Sequence, residues 1–405
     1  MFMSARTLIS KLGVVVALSA LAAPCASAGE GAIPICQADV PLVITNPGSY
    51  VVTENLTLSG AGVTGIVIRA DRVAIDLNGF TLRGPGSSSG FGIAQTSGSV
   101  ATVRNGFVAN WKGPVKGGIV LGGRNNRVES VTVADCAYGI FGGQGNVISM
   151  CIAFSNSLDG IYVQEGSTVE RCYATGNAGW GIHAQPGSTV RECVTTWNGS
   201  GIYVHQGTVA ECSIFAHMAG DGITVDYDGV VERCGVMGAL KNGIKVLDRC
   251  AVRQCTVISC SNGVSAADQC VIEWVVVRGG SGDGIVADDG SIVRRCVVST
   301  NSGDGIEVDS DCLVIGNLCT DIANPDIGVA GIRVRGTDNR IEENTCNRSE
   351  TGIAVENGGN LVVKNLAAYN STTNYSLATG NTVGAIEPDP VAWEMPWANF
   401  KMGQP

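Results

Sequence analysis

The sequence predicts an all-β fold, a parallel β-helix solenoid of about 13 to 14 coils with roughly 21 residues in each coil. The main observation is a Gly-Ile pair that recurs through most of the chain, with Val264 replacing the isoleucine once. Successive glycines of these pairs are 20 or 21 residues apart in most coils and 26 or 27 apart in three. These glycines are Gly65, Gly92, Gly118, Gly139, Gly160, Gly181, Gly201, Gly222, Gly243, Gly263, Gly284, Gly305, Gly331 and Gly352. So regular a period indicates a stack of equivalent units that bury a shared core.

Each unit reads as short strands and not as helices. Apolar residues alternate in short bursts between polar turns, as in residues 160–174, and no stretch has a convincing 3.6-residue apolar period. The 56 glycines follow no every-third-residue period, so they indicate many tight turns and not a triple helix. The units lack the signature of leucine-rich repeats and the hexapeptide period of left-handed β-helices, which favours a right-handed winding.

Stacked coils turn each repeat position into a column, because neighbouring strands lie about 4.8 Å apart. One column is rich in asparagine at both ends and in cysteine in the middle coils. We expect its amides to form a hydrogen-bonded ladder at a bend of the chain, with thiols taking over that position in between. The column is Asn78, Asn105, Ser130, Cys151, Cys172, Cys193, Cys212, Cys234, Cys255, Trp274, Cys296, Asn317, Asn344 and Asn365.

The chain resembles the pectin-lyase-like family of right-handed parallel β-helix proteins over about residues 42 to 385. The segment Asp76-Leu77-Asn78-Gly79-Phe80-Thr81-Leu82, which follows Pro47-Gly48-Ser49-Tyr50, looks like the opening coils of bacterial members of that family. The resemblance implies the fold but matches no single enzyme. The Asn-Thr-Asp, His-Gly and Arg-Ile-Lys motifs of polygalacturonases and the Arg-x-Pro-x-x-Arg motif of pectate lyases are absent from the sequence.

The chain divides into an export signal, two caps and the solenoid. Residues 1–28 combine Arg6 and Lys11, an apolar stretch and the small-residue cleavage site Ala26-Ser27-Ala28, so we predict an exported protein. A lipid anchor on Cys25 is an alternative, although Pro24 argues against it. We predict an N-terminal cap over residues 29–60, coils over 61–365 and a C-terminal cap over 366–405. No later apolar run reaches the roughly 18 residues that a membrane-spanning helix needs.

The charge of the chain restricts its partners. The formal net charge is -10, and removal of the signal with its two basic residues makes it -12. Nucleic acid is therefore an unfavourable partner, and a polyanionic sugar would need calcium to bridge it to the protein, whereas a neutral glycan meets no such barrier. We expect a polysaccharide partner and a monomeric protein.

Most of the cysteines are predicted to be packed thiols. Without Cys25 the exported chain has an odd number, fifteen, and parallel side chains at the strand spacing suit a disulfide poorly. Cys250 with Cys270 and Cys319 with Cys346 are the better bridge candidates, since each pair shares a column in neighbouring coils. A zinc site is not expected, because the sequence has no Cys-x-x-Cys.

Aromatic residues mark one candidate binding surface. The residue two positions after the Gly of each pair points outward, and this position is aromatic or histidine in four consecutive coils, which span about 14 Å. The alternative is a set of surface rings that only shield the strands. The predicted substrate-binding residues are Phe141, Tyr162, His183 and Tyr203 in this column, with His205 and Trp180 beside them.

Acidic residues mark a candidate catalytic patch farther along the same face. We predict Asp288, Asp309, Glu307 and Arg335 as catalytic residues, because carboxylates one coil apart approach the spacing used by retaining glycosidases. Asp288 and Asp309 could also hold Ca²⁺, and calcium with an arginine base resembles the pectate-lyase scheme. The alternative is that these acids are solvated turn residues.

Two functions follow from these surfaces. The first is an exported protein that binds or processes a polysaccharide, as a lyase or a glycoside hydrolase. The second is a non-catalytic glycan-binding or cell-surface structural protein. The fold alone does not distinguish them, since function resides in the site.

Overall fold

The structure is a computed structural model that describes residues 31–87, 90–113, 117–322, 324, 328–388 and 395–403. The predicted export signal and Trp393 of the predicted C-terminal cap lie outside these residues. The described chain forms two parallel sheets wound into one solenoid, and it contains one short 3-10 helix, Gln37–Asp39, and no α-helix. The all-β solenoid prediction is confirmed.

The first sheet contains the Gly-Ile pairs and is named the Gly-Ile sheet. It has 16 strands, so the solenoid has about 16 coils and not the 13 to 14 predicted. The difference arises because the first and last coils lack a Gly-Ile pair. The strands are Leu42–Ile44, Ile66–Ile68, Ile93–Gln95, Gly117–Leu121, Tyr138–Gly142, Ile161–Val163, Trp180–Ala184, Ser200–Val204, Ile223–Val225, Ile244–Val246, Val264–Ala266, Ile285–Ala287, Ile306–Val308, Ala330–Val334, Thr351–Val355 and Thr373–Leu377.

The second sheet has 32 strands and is named the corner sheet, because the chain bends between two of its strands in most coils. The strands are Ile33–Ile35, Gly48–Val52, Leu56–Thr57, Val73–Asp76, Thr81–Ser87, Thr102–Lys112, Arg127–Ala134, Val147–Ser149, Ile152–Phe154, Thr168–Glu170, Tyr173–Thr175, Ser188–Arg191, Val194–Thr196, Gly207–Ala210, Ser213–Phe215, Val230–Glu232, Gly235–Met237, Ala251–Arg253, Thr256–Ile258, Val271–Glu273, Val276–Arg278, Ile292–Arg294, Val297–Ser299, Leu313–Ile315, Leu318–Thr320, Arg340–Glu342, Thr345–Asn347, Leu361–Val363, Leu366–Ala368, Thr382–Val383, Ile386–Glu387 and Asn399–Met402.

The repeated glycine is required by the close approach of neighbouring coils. A Cβ atom built on Gly139 would lie 2.3 Å from the carbonyl oxygen of Gly160 in the next coil. The same contact recurs at Gly160, where a Cβ would lie 2.8 Å from the carbonyl oxygen of Gly181. Any side chain here would push the coils apart, so glycine occupies this position in the fourteen coils between the first and the last.

The bend of the corner sheet uses two adjacent columns, and the sequence prediction merged them. The first column points outward and has left-handed backbone, with φ of 52° at Met150 and Arg171. The second column follows it by one residue and is buried. Asn78, Asn105, Ser130 and Trp274, with φ between 52° and 58°, occupy the outward column and not the ladder. Val131 and Val275 continue the buried column beside the thiols.

The asparagine ladder is present at the C-terminal end of the buried column. The side chain of Asn317 donates to the amide oxygen of Asn344 at 3.0 Å, and Asn344 donates in turn to Asn365 at 3.0 Å. Asn365 donates to Asn399 at 3.1 Å, which extends the ladder by one residue. These bonds satisfy buried amides that a sharp bend would otherwise leave unpaired.

Both predicted caps carry strands that pair with the coils. In the N-terminal segment, Leu42–Ile44 pairs in parallel with Ile66–Ile68. In the C-terminal segment, Asn399–Met402 pairs with Leu366–Ala368. Trp397 of the C-terminal segment is exposed, and its ring centroid lies 4.8 Å from the Nζ atom of Lys364.

Among the described residues, fourteen cysteines are free and buried, including both predicted bridge pairs. Cys250 and Cys270 are free, as are Cys319 and Cys346. Cys36 is disulfide-bonded. The prediction of packed thiols is therefore confirmed for these fourteen.

Candidate functional site

The outward face of the Gly-Ile sheet carries the predicted binding residues in register. Phe141 is paired with Tyr162, Tyr162 with His183 and His183 with Tyr203 across three successive strand pairs. The column is flanked on one side by Trp180, whose ring centroid is 5.4 Å from that of Tyr203. The sequence prediction thus placed these side chains next to one another as the structure has them.

The rings of this column cover one another's faces. Phe141 and Tyr162 are stacked with centroids 4.9 Å apart and planes 9° apart. The imidazole of His183 is tilted by 59° against Tyr162 at 4.7 Å and by 74° against Tyr203 at 4.8 Å. The flat surfaces expected to stack on sugar rings are therefore largely occupied, and the column offers polar ring edges.

A buried carboxylate holds His183. The Oδ2 atom of Asp159, one coil earlier, lies 3.1 Å from His183 Nδ1, while its Oδ1 atom accepts the backbone N–H of Trp180 at 2.7 Å. An Nδ1–H that donates to this carboxylate leaves Nε2 as the basic nitrogen. Gln185 lies 3.2 Å from that Nε2 atom through its side-chain nitrogen.

A second carboxylate joins Tyr203 to His205. The hydroxyl of Tyr203 donates to Asp226 Oδ2, and His205 Nδ1 lies 2.8 Å from the same oxygen. Burial raises the pKa of the Tyr203 phenol, and the hydrogen bond to Asp226 raises it further. The phenol therefore keeps its proton at neutral pH, and that proton is directed at Asp226 Oδ2. Asp159, His183, Tyr203, His205 and Asp226 are named the histidine–tyrosine cluster.

Sequence reasoning missed both carboxylates of this cluster. Asp226 lies 21 residues after His205, one coil along the same outward column. That repeat spacing was a signal that could have revealed it. Asp159 precedes a glycine, as ordinary turn residues often do, and the structure shows that it both bonds the next coil and orients a histidine.

The predicted catalytic residues divide between two environments farther along the face. The side chains of Asp288 and Asp309 are exposed. Partial removal of Asp288 from water by its neighbours, together with the charge of Asp309, nevertheless raises the pKa of Asp288. Glu307 and Arg335 instead lie in a pocket of about 330 Å³. Within it, Arg335 donates to Glu307 Oε2 at 2.8 Å.

The structure adds Asp283, Asp304 and Arg333 to this pocket. Oxygen atoms of Asp283, Asp304 and Glu307 all lie within 4.8 Å of one another. Arg333 donates to Asp304 Oδ2 at 2.6 Å, and the other oxygen of Asp304 accepts the backbone N–H of Ala330 at 2.6 Å. These five residues, Asp283, Asp304, Glu307, Arg333 and Arg335, are named the carboxylate pocket.

Burial raises the pKa of two acids of the carboxylate pocket, Asp283 and Glu307. At Asp283 the neighbouring carboxylate of Asp304 adds to this rise in pKa. At Glu307 the rise is opposed by Arg335, whose guanidinium favours the ionised form. A protonated acid next to a more readily ionised one is the arrangement that acid–base catalysis uses.

The carboxylate pocket also bears on the expected calcium site. Within the part of the chain that the structure describes, the oxygen cluster suited to a metal contains neither Asp288 nor Asp309. The two arginines of the pocket already compensate Asp304 and Glu307. Calcium at Asp288 and Asp309 stays a sequence prediction.

The chain belongs to the family described as right handed beta helix region, which matches residues 42–193 and 283–384. No curated protein matches it. No helix among the described residues is long and apolar enough to span a membrane.

Several solved structures share the winding of the chain. The A-module of the Azotobacter vinelandii mannuronan C-5 epimerase is 15% identical, with a TM-score of 0.38, over 83% of this chain and 90% of that one. The catalytic domain of an α-1,3-glucanase is 12% identical, with a TM-score of 0.41, over 89% and 71%. A tailspike protein of an E. coli bacteriophage, in complex with a pentasaccharide, is 13% identical, with a TM-score of 0.43, over 88% and 72%. Similarities this distant carry no argument about activity.

Proposed function

We propose that the protein is exported, binds an extracellular polysaccharide along the outward face of the Gly-Ile sheet and processes it by proton transfer at the histidine–tyrosine cluster. The observation that carries the proposal is the pairing of two carboxylate-held imidazoles with a protonated phenol in neighbouring coils. A fold needs none of these groups on an outward strand face, whereas acid–base catalysis needs them together.

The groups of the cluster have complementary roles. Asp159 orients His183 so that its Nε2 atom can accept a proton from the substrate. Tyr203, held by Asp226, can supply a proton to a departing sugar oxygen. Removal of a proton next to a carbonyl or carboxyl group, with protonation of the leaving oxygen, is a β-elimination, so the cluster suits a lyase.

The face also provides room for a polymer. Strands of the Gly-Ile sheet are parallel and stack without interruption on both sides of the cluster. The outward column continues with Thr224, which is buried, and then with the partly exposed Lys245 and Ser265. A glycan chain lying along the solenoid axis would contact ring edges first and hydroxyl and ammonium groups beyond them.

The carboxylate pocket supports a second candidate function, glycoside hydrolysis. Oxygen atoms of Asp283 and Glu307 lie within 4.8 Å of each other, near the separation of about 5 to 5.5 Å between the acid and the nucleophile of retaining glycosidases. In this reaction Asp283 would donate the proton and Glu307, stabilised by Arg335, would attack the sugar.

Incubation with neutral and acidic polysaccharides, with and without Ca²⁺, tests both candidates. A lyase produces unsaturated ends that absorb in the ultraviolet, and a hydrolase produces reducing ends without that absorption. Loss of lyase activity in Tyr203→Phe and His183→Gln supports the cluster, and loss of hydrolase activity in Glu307→Gln supports the pocket.

Tyr173→Phe is the matched control, because this tyrosine lies on the corner sheet, away from both proposed sites. Its hydroxyl shares one hydrogen bond, of 3.0 Å, with the hydroxyl of Thr196. Activity that survives in Tyr203→Phe, His183→Gln and Glu307→Gln contradicts both assignments. Binding without any new ends, in every polysaccharide tested, means that the protein is a glycan-binding or structural protein.

A further inference from the structure

Six buried thiols form an uninterrupted column inside the solenoid. They occupy the same repeat position in six consecutive coils, and each is at most 2% exposed. The thiol column, in order, is Cys151, Cys172, Cys193, Cys212, Cys234 and Cys255. Neither proposed reaction uses it.

The six side chains have one conformation. Each Sγ atom lies 3.2 to 3.3 Å from the carbonyl oxygen two residues before it. Each also lies 3.6 to 3.8 Å from a carbonyl oxygen in the preceding coil. Because these contacts repeat, successive sulfur atoms are related by the strand spacing of about 4.8 Å. Successive sulfurs are also close enough to interact with each other along the whole column.

This spacing fits a metal ion held between two sulfurs in a line. A metal–sulfur bond of about 2.3 Å places two collinear sulfurs about 4.6 Å apart. An ion between two coils of the column would contact one sulfur from each coil. A tetrahedral Zn²⁺ would therefore lack two of its four ligands. Ions that accept two collinear thiol ligands are soft and monovalent, such as Cu⁺ and Ag⁺.

We propose that the thiol column binds soft monovalent metal ions, each held between two adjacent cysteines that no other ion shares, so that its six thiols hold up to three ions. For each ion that binds, both thiols of the pair lose their protons to solvent, because the thiolate and not the thiol is the metal ligand. The bound pair then carries one negative charge, and backbone N–H groups that face the sulfurs, such as that of Cys172 at 3.5 Å from Cys193 Sγ, stabilise it. The ions enter most readily as the coils form, before the column is closed.

Two other pairs of cysteines in neighbouring coils should bind metal ions by the same rule. Cys250 with Cys270 and Cys319 with Cys346 are free and in neighbouring coils, so each should hold one ion more. Cys296 repeats the column's contacts but is separated from it by Val275. It should hold none. We expect about five ions in the whole protein, three of them in the column.

Valine replacements test the proposal without opening a cavity, since Val131 and Val275 already occupy this column. An alternating variant, with Cys172→Val, Cys212→Val and Cys255→Val, leaves three thiols with no adjacent partner. A block variant, with Cys151→Val, Cys172→Val and Cys193→Val, also leaves three thiols, but these are adjacent. The two differ only in adjacency.

Each protein is refolded from denaturant with Ag⁺, and separately titrated in its native state, and bound silver is measured after removal of weakly held ions. We expect a loss of three ions in the alternating variant, of two in the block variant and of none in Cys296→Val. X-ray absorption should show two sulfurs at about 2.3 Å from the metal. Equal silver in the alternating variant and the unmodified protein after refolding, or more than two sulfur ligands, overturns the proposal.

Discussion

His217 should make the stability of the solenoid depend on pH. This histidine is buried at the end of a second ladder, in which Asn156 donates to Asn177 and Asn177 to Asn198, each at 2.8 Å. Its Nε2 atom lies 3.2 Å from the hydroxyl of Thr195. Burial lowers the pKa of His217 from 6.5 to about 4, and an opposing backbone contact at Asn198 is smaller.

The magnitude follows from the two pKa values. The folded protein keeps the imidazole neutral, while the unfolded chain takes up a proton below pH 6.5. A pKa difference of 6.5 minus 4 corresponds to about 3 kcal/mol, at 1.36 kcal/mol for each pH unit. Above pH 6.5 this histidine leaves the stability unchanged. Between pH 6.5 and about 4 the free energy of unfolding falls as the unfolded chain takes up the proton, and below about pH 4 it falls no further on this account.

Urea unfolding of the protein and of His217→Asn, at pH 7.5, 5.5 and 4, measures this effect. An asparagine at this position can continue the ladder from Asn198 and carries no titratable group. The free-energy difference between the two proteins should move in favour of the variant by about 3 kcal/mol from pH 7.5 to pH 4. Carboxylates titrate in both proteins and cancel. A difference that is independent of pH would show that His217 is not held neutral by burial.

Other predictions concern the coils and the proposed sites. Asn344→Leu removes the middle of the C-terminal asparagine ladder and should lower the free energy of unfolding by about 1 to 3 kcal/mol, measured in urea, because the buried Asn317 amide loses its acceptor. Gly139→Ala should destabilise by about 1 to 3 kcal/mol, since its Cβ would meet a carbonyl oxygen at 2.3 Å. Gly235→Ala should be nearly neutral in the same experiment, because its Cβ would meet nothing within 4 Å. Tyr203→Phe should reduce turnover of a cleaved glycan by about 10²- to 10⁴-fold if this phenol is the acid, and kinetics at constant substrate would detect it.

Buried columns explain why the fold could be predicted. The close approach of neighbouring coils favours glycine at one position and small apolar or ladder-forming residues inside, so the sequence repeats them in the fourteen coils between the first and the last. The first and last coils satisfy the same geometry without a Gly-Ile pair, and counting pairs alone therefore gave too few coils. At the bend, an outward and a buried column are adjacent in sequence. Only the left-handed φ of one of them separates Trp274 from Val275.

The site was predictable only where a column repeats a residue type. The rings from Phe141 to Tyr203 share one outward column, and their adjacency followed from the period. The orientation of each ring could not be predicted from the period, because rings that fill the strand spacing stack on one another. Asp283 and Asp304 precede glycines like ordinary turn residues, and their convergence on Glu307 depends on how the turn directs them.

The two proposed reaction sites differ in how their charges are compensated, and this difference argues for the histidine–tyrosine cluster. In the carboxylate pocket, Arg333 binds Asp304 and Glu356, and Arg335 binds Glu307, so ion pairs alone account for much of the arrangement. In the cluster, Asp159 and Asp226 are held by a backbone N–H, a phenol hydroxyl and imidazole nitrogens, and not by arginine. A solenoid needs neither feature to bury its core. The groups whose arrangement does not rest on ion pairs with arginine are therefore those around Tyr203.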